Sequence, residues 1–140
     1  MGVRDQNLED AGAVYLTFDI NQTGGVDDLK NADIGKAVQL TTNYKVKAAT
    51  DGCLVIGKLT ALTLTDADNG KRKATIQVAG VMSLPISTTY PVIGNRIVGA
   101  IAGKVKQAPA LTGYDPAGGA IARGTVLAVN GTTDCVLVFN

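Results

Sequence analysis

Gly52-Cys53-Leu54-Val55-Ile56-Gly57-Lys58 has the spacing of a phosphate-cradling loop, GxxxxGK. The next position decides against it. Such a loop needs Ser or Thr there to hold magnesium, and it must follow a strand and open a helix. Leu59 follows here, and the segment runs on into threonine-rich, strand-like sequence. The reading is a glycine-bounded core strand rather than a nucleotide site. Asp66-Ala67-Asp68-Asn69-Gly70 has the acidic look of a calcium loop. Its glycine stands at the fifth place instead of the sixth, and Gln77 stands where a bidentate Glu belongs. A hairpin turn is the better reading. The chain contains no histidine, which removes the commonest general base and zinc ligand. Ser83 and Ser87 have no basic partner nearby in sequence. The carboxylate pairs Asp27-Asp28 and Asp66-Asp68 lie in polar surroundings that suit turn and cap residues. Cys53 and Cys135 are the only cysteines and lack CxxC spacing. They read as small buried hydrophobes, each at the start of an apolar run. A disulfide between them would need neighbouring strands and an oxidising compartment. The expectation is therefore no catalytic residue, no cofactor, no metal and no enzyme activity.

The elements that would position any site are strands. Lys58 to Thr65 and Lys73 to Gly80 form two runs around the turn Asp66 to Gly70, with Ile76 and Val78 alternating with Thr75 and Gln77. Alternation closed by Asn-Gly predicts a hairpin with Asn69-Gly70 at its centre. Further strands are expected at Ala13 to Ile20, Lys36 to Thr41, Tyr44 to Ala48 and around Ile97 to Ile101. Cys53 to Gly57 predicts a short strand buried on both faces. Val26 to Ile34 predicts one short helical turn or a loop. Pro85 should end its strand or place it at an edge. Gln107 to Gly119 reads as the longest loop. Gly124 to Gly131 should pair with Cys135 to Phe139 through the turn Asn130 to Asp134. No segment has the pattern of a long amphipathic helix. Seven to ten short strands predict an all-β fold, a small barrel or sandwich. Residues 1–12, polar and without periodicity, read as an extended N-terminal arm, and residues 13–140 as a single β-domain.

Composition narrows the functional classes. Of 140 residues, 46% are hydrophobic but only 4% aromatic, so the core must be built of Ala, Val, Leu and Ile. A formal net charge of +1 gives no electrostatic footprint for nucleic acid. No apolar run is long enough to span a bilayer, and the N-terminus lacks a hydrophobic signal region, so the expectation is a chain made in the cytoplasm that binds neither nucleic acid nor membrane.

From Asp51 onward the order of features is a "DG-apolar-G" strand, then KATIQVAGVMSLPI, then YPVIGNRIVGA, a Gly/Pro loop and a closing ARGTVLAVNGTTDCVLVFN. In strand order and style these C-terminal two thirds resemble the head-decoration, or capsid cement, proteins of tailed bacteriophages. The resemblance implies a non-enzymatic β-fold, made in the host cytoplasm, that docks on the outer capsid surface of the virion. It implies the major capsid protein as partner and a homotrimer as the decorating unit. It carries no catalytic residues. Extended termini would serve as clamps, which points to Val3, Arg4 and Leu8. The apolar C-terminal run points to Phe139 as an anchor against a neighbouring subunit. The alternative is a carbohydrate- or ligand-binding β-module of a phage tail or surface assembly, with Tyr15, Tyr44, Tyr90, Tyr114, Phe18 and Phe139 as its few aromatics.

Overall fold

The computed structural model describes residues 11–63, 72–109 and 121–139. The described chain is all-β. Its strands are β1 (Val14–Ile20), β2 (Gln22–Thr23), β3 (Val26–Asp27), β4 (Ala37–Thr42), β5 (Lys45–Ala48), β6 (Gly57–Leu62), β7 (Lys73–Pro85), β8 (Ile97–Gly99), β9 (Val105–Gln107), β10 (Thr125–Asn130) and β11 (Asp134–Phe139). Two single 3-10 turns, at Asn31–Asp33 and Ile101–Gly103, are the only helical pieces among the described residues.

Five strands close a small barrel in the order β1-β5-β4-β6-β7, and β7 pairs back onto β1. The β1–β5 pair is parallel and the others are antiparallel. The sheet then continues through the second half of β7 to β11 and β10. β7 thus belongs to two bodies. Ala74 and Ile76 face the barrel core with Ile20, Leu29, Val38, Val46, Ile56 and Leu59. Met82 and Leu84 face a second core with Ile97, Val105, Val126, Leu137 and Phe139. Branched aliphatic side chains suit this pleated packing and fill it without tryptophan.

The passage between the two cores is made at Gly80. Its φ of +96° lies in the left-handed region, and a Cβ there would meet Ala11 O and Ala13 N at 2.7 Å. Only glycine fits such an approach. Residues 11 and 12, the end of the expected arm, are therefore packed on β7, and the Val81 N–H donates to Ala11 O at 2.9 Å. At the same bend the buried Gln77 amide donates to the carbonyls of Ala79 and Val81, both at 3.2 Å.

The central hairpin forms as expected, with Lys58 opposite Gln77 and Leu62 opposite Ala74; its turn, Asn69-Gly70 included, lies outside the described residues. Pro85 ends β7. The β10–β11 hairpin also forms, with Asn130 opposite Asp134. Val26 to Ile34 holds both β3 and a 3-10 turn. Most of the loop expected at Gln107 to Gly119 lies outside the described residues. One strand needs correction. Cys53 to Ile56 is an irregular link, not a strand buried on both faces: Leu54 is exposed, Val55 enters the second core and Ile56 the barrel. The reason lies in its carbonyls. Arg123 takes those of Val55 and Ile56 through Nη1 at 3.3 and 2.9 Å, and that of Val78 through Nη2 at 3.2 Å.

Candidate functional site: an apolar barrel mouth and a cationic hollow

Val3, Arg4 and Leu8 fall outside the described residues. Phe139 is 1% exposed and sits in the domain's own second core. The Arg123 guanidinium stacks on its ring 4.4 Å from the centroid. In the single chain the ring is therefore filled space, not a surface for a neighbour. The reason is the alternation of β11: Cys135, Leu137 and Phe139 share the inward side. Burial lowers the Arg123 pKa from its ordinary value. Burial, with the Asp134 charge adding to it, pushes the Cys135 thiol up to about 12. Cys53 and Cys135 both pack on the second core as free thiols. Leu59, the position that spoils the GxxxxGK spacing, is a fully buried barrel residue. Asp27 and Asp28 accept hydrogen bonds from Gln22 and Asn21 at 2.9 and 2.6 Å, which are turn contacts. Asp66 to Gly70 lies outside the described residues. Among the described residues no three His, Cys, Asp or Glu side chains group as metal ligands.

Two open hollows stand out among the described residues. The first is the mouth of the barrel. Leu16, Phe18 and Ile20 share one face of β1, and Val38 and Leu40 share one face of β4. Ile20 and Val38 are buried, so their strand mates point the same way, but Leu16 and Leu40 stand 48% and 47% exposed. The barrel runs out of strands before these side chains are covered. Phe18, Leu40, Thr42, Asn43 and Tyr44 line an open hollow of about 440 Å³ there. Tyr44 is the unusual member. It is the second residue of the two-residue link between β4 and β5, it is 72% exposed, and its φ is 59°. A bulky residue in the left-handed region is strained, and the strain is tolerated here without packing in return. Sequence pattern places Tyr44 at the start of a strand; the structure puts it in the link ahead of β5.

The second place lies where β7 bends. Ala32, Ile34, Gly35, Lys36, Lys58, Ser83, Leu84, Pro85, Thr133 and Asp134 line an open hollow of about 360 Å³. Lys58 alternates with the buried Leu59, and Ser83 with the buried Met82 and Leu84, so both point away from the cores. The Lys58 Nζ donates to Ser83 Oγ at 3.4 Å. Lys58 sits opposite Gln77 in the ladder. In a straight strand Ser83 would lie about 20 Å from Gln77, so the bend at Gly80 is what brings the pair together. The second lysine is held by the 3-10 turn, since Lys36 Nζ contacts Asp33 Oδ1 at 3.0 Å. Burial works against the Asp33 charge, but the Lys30 N–H and the Lys36 ammonium outweigh it and lower the pKa. Sequence reading left Ser83 without a basic partner, and nothing in local spacing could have supplied Lys58.

No protein-family model matches the chain, and searches of the curated proteins and of the solved structures return no match.

Proposed function

We propose that this chain is a structural, non-enzymatic protein of a tailed-phage virion. It binds the outer surface of the head and stabilises the shell by non-covalent clamping of neighbouring capsid subunits. The observation that supports this reading best is Tyr44. A ring that is 72% exposed in a strained backbone conformation contributes little to its own fold, and tyrosine is among the side chains that anchor protein interfaces. Leu40 and Phe18 around it give an apolar centre, and Thr42 and Asn43 give a polar edge. The major capsid protein is the partner. A homotrimer is the decorating unit, and with Phe139 inside its own chain the subunits would have to meet through another surface. The test is co-sedimentation with heads assembled without the protein. Wild type should pellet with the shells and raise their resistance to heat; a protein that stays in the supernatant at micromolar shell-site concentration refutes the reading.

One observation favours a second reading, a carbohydrate-binding module. An exposed tyrosine beside an asparagine amide and a threonine hydroxyl is also a way to hold a sugar ring. Saturable chemical-shift changes at Tyr44 with a saccharide panel, in a protein that ignores shells, would select it.

A further inference from the structure

We infer that the hollow at the bend of β7 is an anion site that takes a single carboxylate carried on a polypeptide segment of a partner chain. The choice of a protein partner rests on the shell-binding reading; the anion chemistry does not.

The geometry converges donors. Lys58 donates to the Ser83 oxygen, so the hydroxyl's own hydrogen is left to point elsewhere, and the ammonium keeps two more. Both side chains leave the cores toward the same hollow. Among the described residues Lys58 has no carboxylate within ion-pair distance, although its stem is half-buried and its backbone is fixed by β4 on one side and β7 on the other. The ammonium makes one long hydroxyl contact at the open hollow, and a carboxylate oxygen would give it a shorter, charge-assisted bond.

The charge count selects a monoanion. Lys36 is already committed to Asp33 at 3.0 Å, and Asp134 stands on the rim. A phosphate dianion would face one uncommitted cation and one carboxylate. A single carboxylate can pair with Lys58 and meets less of the repulsion from Asp134 than a dianion does. Ala32, the exposed Ile34 and Pro85 add apolar surface to the rim, beside Thr133. That suits the aliphatic stem of a glutamate and an apolar neighbour on the same segment.

The test uses the full chain, labelled with nitrogen-15, and three probes: an acetyl- and amide-capped Ala-Leu-Glu-Ala peptide, its Gln analogue and inorganic phosphate. The Glu peptide should give saturable shifts at the amides of Lys58, Ser83 and Lys36, with the Gln peptide about tenfold weaker. Lys58→Met should abolish the response and Lys58→Arg should keep it. Ser83→Ala, which removes only the hydroxyl, should weaken the response in a chain with a native spectrum, so the inference stays testable if Lys58→Met misfolds. Equal shifts with the Gln peptide, a stronger response to phosphate, or full binding by natively folded Lys58→Met overturns it. Shell co-sedimentation separates the two readings. Peptide binding by a protein that ignores shells keeps the carboxylate site and removes the shell reading. Equal shell binding by wild type and Lys58→Met, with no peptide response, does the reverse.

Discussion

Replacing Tyr44 by glycine separates a docking residue from a folding residue. At φ 59° the tyrosine occupies the left-handed region, which costs a non-glycine residue about 1–2 kcal/mol. Glycine relieves that strain but frees the unfolded chain, which costs about 0.4–1 kcal/mol. With the ring 72% exposed, only about 50 Å² of a side chain of about 200 Å² is covered, so its loss removes about 1.2 kcal/mol at about 25 cal/mol per Å². The backbone bond from the Asp19 N–H to Tyr44 O, 2.7 Å, survives the change. These effects nearly cancel, so Tyr44→Gly should alter unfolding free energy by no more than about 1 kcal/mol, against about 3–5 kcal/mol for truncating a packed aromatic. Urea unfolding followed by circular dichroism measures this. The same variant should bind shells at least about thirtyfold more weakly, the loss expected of an interface anchor worth about 2 kcal/mol. A destabilisation beyond about 2 kcal/mol would show that the ring holds the β4–β5 hairpin together. Undiminished shell binding by a stable variant would remove Tyr44 from the docking surface.

Phe139→Ala should show the opposite profile, losing about 3–5 kcal/mol of stability because the ring is buried in the second core; an unchanged melting temperature would mean that the core does not depend on it. Arg123→Met should cost about 2–3 kcal/mol by leaving the carbonyls of Val55 and Ile56 without their donor, and faster hydrogen exchange around residues 53–57 should report the loosened link. Cys135 should resist iodoacetamide at pH 8 in the folded chain and react once urea is added, read by peptide mass mapping, since burial holds its thiol near 12. Because the folded value is raised above the ordinary 9.0, the protonated thiol's contribution to stability is complete below pH 9 and is lost as pH climbs toward 12; stability that is flat across that alkaline range in wild type, corrected by a Cys135→Ala control, would contradict the burial.

Local pattern carried much of the fold. Alternation in Lys73 to Ala79 faced by Lys58 to Leu62 and the small aliphatic palette specify an all-β chain and its central hairpin, because side-chain direction in a strand follows from position alone. Pro85 marked a strand end because it lacks a donor. The same reasoning failed at Cys53 to Ile56. Its apolar run looks like a strand, but its carbonyls are taken by an arginine far along the chain, and no local rule sees that partner. It failed at Phe139 for a related reason: apolar character says that a side chain wants cover, not whether the cover comes from its own chain. Barrel closure, the sharing of β7 between two cores and the meeting of Lys58 with Ser83 were decided only in three dimensions. The last two depend on Gly80, where the approach of residues 11–13 excludes a Cβ and lets the strand turn from one core to the next. A glycine within a strand signals that something may approach closely; which segment does so, and which side chains the bend then brings together, is set by packing between parts of the chain that sequence distance keeps apart.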